Sequence, residues 1–113
     1  MDPRLRVEVS FEAPTTLLGL NGLNVGTYMS STRSDQTLEG EGRGVFASPD
    51  GEMATWKGVG NGRYLPDGAV SYRGGLAFTS STPKLSRLNA VAGVFEFEVA
   101  ADGTTRSRIW EWK

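Results

Sequence analysis

Residues 36–79 read QTLEGEGRGVFASPDGEMATWKGVGNGRYLPDGAVSYRGGLAFT, and this stretch decides the fold. Two Pro-Asp-Gly turns, Pro49-Asp50-Gly51 and Pro66-Asp67-Gly68, cut it into three strand-like runs. In the first two runs glycine falls on every second position: Gly40, Gly42 and Gly44, then Gly58, Gly60 and Gly62. A period of two belongs to a β-strand, so these glycines share one face of one sheet.

Working outward, Ala101-Asp102-Gly103 repeats the turn pattern. Each such triplet fits a three-residue hairpin loop, a type I turn followed by glycine in the left-handed region. The implied register pairs Glu98 with Arg106, Glu96 with Arg108 and Phe95 with Ile109. It also pairs Gly62 with Tyr72, Trp56 with Phe78 and Gly44 with Trp56. Opposite charges meet and aromatic rings lie across from glycines, which fills the missing side-chain volume. Ser34-Asp35-Gln36 is a weaker turn signal, because Gln36 stands where the others have glycine.

Upstream, Leu5 to Glu12 alternates apolar and polar residues as a half-buried strand does. Ala13-Pro14 is expected to break it. Asn21-Gly22 then offers a two-residue type I′ hairpin placing Leu20 opposite Leu23 and Leu18 opposite Val25. Downstream, Thr82 as N-cap, Pro83 in first position and the Leu85/Leu88 spacing predict one short helix near residues 82–89. VFEFEV and RIWEWK form a closing hairpin. The whole chain, residues 1–113, is one domain: an all-β, eight-stranded antiparallel up-and-down barrel, with a β-sandwich as the alternative.

One face of the central sheet carries Glu39, Glu41, Arg43, Lys57, Asn61, Arg63, Ser71 and Arg73, and is expected to meet solvent. The other carries Leu38, Val70 and Leu76 with the candidate ligand-binding residues Tyr28, Phe46, Trp56, Tyr64, Tyr72 and Phe78. The glycines leave space on that face and the aromatics fill it. Either a solid core or a cavity for a small hydrophobic or aromatic ligand results, and the cavity is the working expectation. Glu111 should face inward opposite Gly93; with Tyr72 it is the candidate for acid–base work. Leu18, Leu20, Leu23, Val25, Val94, Trp110 and Trp112 should point outward, a pattern that favours a homodimer.

Composition narrows the chemistry. The chain contains neither cysteine nor histidine. That excludes disulfides, Cys- or His-ligated metals and triads built on His. Twelve basic residues against 13 acidic ones leave no general attraction to nucleic acid or an anionic membrane. GEGRGVF and GVGNGRY are not followed by helices and no G-K-[ST] occurs, so phosphate-loop readings fail on context. No cofactor is expected. No apolar run is long enough for a membrane helix and the N-terminus lacks a signal-like core, so the expected location is cytoplasmic.

Residues 40–64 (GEGRGVFASPDGEMATWKGVGNGRY), 69–78 (AVSYRGGLAF), 82–99 (TPKLSRLNAVAGVFEFEV) and the terminal WEWK resemble a family of small uncharacterised prokaryotic proteins. The likeness spans about Val7 to Lys113. It implies further residues, and with them a strand or part of one, ahead of the first residue given. In architecture the pattern is similar to allene-oxide-cyclase-like barrels, which implies hydrophobic or polyunsaturated ligands and, as a rival to simple binding, an isomerase or cyclase activity. A structural or interaction module acting through the outward Leu and Trp residues is the third reading. Fold likeness carries no catalytic residue with it.

Overall fold

A computed structural model describes residues 6–112. Seven strands follow one another in sheet order and in sequence order: β1 (Arg6–Leu17), β2 (Leu20–Thr32), β3 (Leu38–Ala47), β4 (Met53–Tyr64), β5 (Val70–Thr79), β6 (Ala92–Val99) and β7 (Thr105–Trp112). All neighbours are antiparallel, and the sheet curls into a half-barrel without β1 joining β7. The expected eighth strand and the closed barrel are therefore both corrected, and a single curled sheet replaces the sandwich alternative. Leu5 and Lys113, the outer ends of two expected strands, lie outside the described residues.

The eighth strand was an artefact of two local signals that tertiary context overrides. Ala13-Pro14 does not break β1, which pairs continuously with β2 from Arg6↔Ser31 to Leu17↔Leu20. β1 is an edge, and a proline is tolerated there because its missing N–H faces away from the ladder. The turn is Leu18-Gly19, with φ of 50° and 79°, and not Asn21-Gly22. Gly22 serves packing instead: a Cβ there would lie 2.6 Å from Cζ of Phe46. Leu20 accordingly packs against the core, while Leu23 and Val25 point outward.

The Asp-Gly turns form as the sequence implies. Gly51, Gly68 and Gly103 have φ of 91°, 88° and 90°. Each loop closes through two main-chain hydrogen bonds, such as Ala100 N to Thr104 O at 2.8 Å and Gly103 N to Ala100 O at 2.8 Å. Arg33–Thr37 makes the same loop, with Gln36 forced to φ 71° in the glycine position. A side chain in that region costs about 1–2 kcal/mol, against about 0.5–1 kcal/mol of extra unfolded-state entropy for glycine. Gln36→Gly should raise stability by about 0.5–1 kcal/mol, read as a higher urea midpoint at unchanged slope.

Every cross-strand pair named from the Asp-Gly turns is present, including Gly44↔Trp56, Gly62↔Tyr72, Trp56↔Phe78, Phe95↔Ile109 and Gly93↔Glu111. The expected helix is a 3-10 helix, Pro83–Ala90, with Thr82 as N-cap and Leu85 and Leu88 buried. It covers one end of the concave face. There Leu17, Phe46, Ala54, Phe78, Leu85 and Leu88 form the core, with Leu85 fully buried.

Candidate functional site

The concave face divides into the packed end under the helix and an aromatic cluster farther up. Period two puts Phe11 on β1, Tyr28 on β2, Trp56 on β4, Tyr72 on β5 and Phe97 on β6 on the same side of the sheet. Curling then brings the rings together. Phe11 lies 6.0 Å from Tyr28, 6.2 Å from Trp56 and 5.5 Å from Phe97, centroid to centroid. Tyr28 stands edge-on to Tyr72 at 5.7 Å and to Phe97 at 5.8 Å. These separations and tilts suit the ring quadrupoles.

The glycine stripe lies beneath these rings. A Cβ on Gly62 would meet Tyr72 at 2.7 Å, and one on Gly26 would meet Trp56 at 2.6 Å. Aromatic rings thus occupy most of the volume the glycines vacate. A void of about 90 Å3 remains, lined by Phe11, Phe46, Trp56, Tyr72, Phe78 and Gly40 among others, almost entirely with apolar atoms. An apolar cavity of about 150 Å3 stays dry and takes benzene, so this space suits only a small, unbranched or planar guest.

The polar groups of the cluster are mostly engaged. Trp56 Nε1 donates to Asn24 Oδ1 at 2.7 Å. The Tyr72 hydroxyl and Ser30 Oγ share a hydrogen bond of 2.8 Å, both residues being buried. Burial, with a smaller contribution from neighbouring Tyr72, pushes the Tyr28 phenol from 10.0 up to about 12. Burial favours the neutral phenol, so the folded protein holds this proton more tightly than the unfolded chain does. The associated stability is intact below pH 10 and falls away as pH rises towards about 12. Tyr28→Phe should remove that alkaline loss, read as a urea midpoint that falls less between pH 10 and about 12 than that of the parent protein.

Of the six candidate ligand-binding residues, Tyr28, Phe46, Trp56, Tyr72 and Phe78 border the void. Tyr64 does not: it ends β4 and is 52% exposed. Glu111 faces inward but lies outside the void, held by Arg87 Nη1 at 3.2 and 3.0 Å from its two oxygens. Glu41 and Arg43 sit on the convex, exposed side. Alternation in the first strand puts Phe11 on one face with Val7 and Val9 without tying it to the aromatic cluster, and Asn24 and Ser30 carry no sequence signal.

Among the described residues no three acidic groups converge to hold a metal. No helix there is long and apolar enough to cross a membrane. No family model matches this chain, and neither curated proteins nor solved structures give a significant match.

Proposed function

We propose that the protein binds a small hydrophobic or aromatic molecule on the concave face of its half-barrel. The observation that carries this reading is the void of about 90 Å3 among Phe11, Tyr28, Trp56 and Tyr72. Its walls are apolar, its rings are anchored by Asn24 and Ser30, and small-molecule sites are usually concave and mostly apolar. An isomerase or cyclase has less support. Tyr28 keeps its proton to about pH 12, and Glu111 is tied to Arg87 away from the void.

Toluene titrated into the Trp110→Phe/Trp112→Phe protein, where emission reports Trp56 alone, is the test. Saturable quenching or a spectral shift is expected. Gly40→Leu should abolish it, because a Cβ at Gly40 meets nothing closer than 3.5 Å and the larger side chain can enter the void. A folded protein whose Trp56 emission ignores toluene would sink the proposal.

A second reading has its own observation. On the convex side Val94 pairs with Trp110 and Ala92 with Trp112, and Trp110 and Trp112 are 46% and 73% exposed. Self-association there would bury both indoles. It calls for a dimer by sedimentation that Trp110→Lys converts to monomer.

A further inference from the structure

Among the described residues, seven strands in unbroken antiparallel order leave two open edges, β1 and β7, and an odd count makes those edges run in the same direction. They border one cleft of about 550 Å3. Pro14–Leu18 form one wall and Ser107–Glu111 the other, with Phe78, Leu88 and Val91 at its base. The margins face each other across it, since Phe11 on β1 reaches Phe97 on β6.

The main-chain groups that line this cleft follow from the hairpins. Ala100 and Thr104 form the hydrogen-bonded closing pair of the last loop. Bonded and non-bonded pairs alternate in an antiparallel ladder. Thr105, Ser107, Ile109 and Glu111 therefore turn their N–H and C=O groups away from β6, and the last three of them line the cleft. The two-residue turn at Leu18-Gly19 makes Leu17/Leu20 the closing pair of the first hairpin. Glu8, Ser10, Glu12 and Thr16 then face the open edge. So does Pro14, which has no N–H to lose, and its position checks the assignment independently.

We infer that the cleft is a strand-acceptor site: an extended peptide with apolar residues at alternate positions adds between β1 and β7, antiparallel to both. One such segment satisfies both edges, because a strand carries donors and acceptors on each side. Its inward side chains meet Leu17, Phe78, Leu88, Val91 and Ile109, and its outward ones meet water. The product is an eight-stranded barrel, the size at which side chains just fill the interior. A folded second copy fits less well. Its β1 or β7 arrives bonded to its own sheet on one side and can satisfy only one edge of the cleft.

The probe is a synthetic nonapeptide of alternating valine and threonine with a lysine at each end, and a control with its central valine replaced by proline. The peptide is expected to bind saturably and to slow amide exchange at Ser107 and Ile109 together with Thr16 on the opposite wall. The proline control should bind about tenfold more weakly, as loss of one strand hydrogen bond implies. Ser107→Pro removes an N–H that serves no β6 partner, so it should leave the fold intact while weakening the peptide by a similar factor. Protection of one edge only, or no saturable binding at millimolar peptide, would overturn the inference. Concentration-dependent protection of both edges without peptide would assign the cleft to a second copy and overturn it equally.

Discussion

Phe46→Ala is expected to lower stability by about 3–5 kcal/mol, at the upper end of the range for large-to-small core changes. Phe46 is 2% exposed and sits on the inner face of β3, one residue before the strand ends, within the core under the 3-10 helix. The cost of such a change depends on whether neighbours can close over the gap, and here they cannot. The next inward residue on β3 is Gly44, the partner on β2 is Asn24, and the partner on β4 is Ala54. Gly22, over which the ring packs, has no side chain to swing in. The hydrogen-bonded sheet holds these backbones apart, so the lost ring becomes space continuous with the existing void, whose wall Phe46 forms. Urea denaturation should show a lower midpoint, and a domain with about 5–15 kcal/mol in all has little to spare. Toluene should recover part of the loss by binding the folded state alone. A cost under about 1 kcal/mol would mean that the concave face is not the core.

The parts legible from sequence were those set by local backbone chemistry. An Asp-Gly pair at the end of a type I turn admits one loop geometry, and loop geometry fixes register, so the pairs of the β3–β4, β4–β5 and β6–β7 hairpins follow. Gln36 shows that the loop tolerates a poor residue when the flanking strands demand it. Asn21-Gly22 shows the converse, a strong turn signal overruled because Gly22 is needed beneath Phe46. Closure was not legible. Whether two edges meet depends on twist and coil accumulated over seven strands, and no single residue records it.

The site divides the same way. Tyr28, Trp56 and Tyr72 share the concave side because period two is a local property. Tyr64 has the same parity, but it ends its strand, where parity no longer guarantees burial. The partner of Glu111 could not be read either, because Arg87 sits 24 positions earlier on the 3-10 helix and is brought over the sheet end only by tertiary packing. Asn24, which orients Trp56, looks like any polar residue between two apolar ones.

Gly44→Ala is expected to cost about 2–3 kcal/mol, whereas Gly40→Ala, four residues away on the same face, should be neutral or slightly stabilising. Both glycines have ordinary strand conformations, so alanine gains the same unfolded-state advantage at each, and only the surroundings differ. A Cβ on Gly44 collides with the Val25 carbonyl oxygen and lies 2.6 Å from Cζ2 and 2.7 Å from Cε2 of Trp56. The carbonyl belongs to the β2–β3 ladder, and the indole is pinned by Asn24, so neither can yield without breaking hydrogen bonds. At Gly40 the nearest atoms are Met29 O at 3.5 Å and Tyr72 Cε1 at 3.7 Å, ordinary contact distances. Trp56 emission should shift in Gly44→Ala and stay unchanged in Gly40→Ala, since only the first displaces the ring. Equal effects at the two positions would show that the glycine stripe serves chain flexibility alone. In that case the aromatic cluster does not lie against the stripe, and the void that supports ligand binding loses its walls.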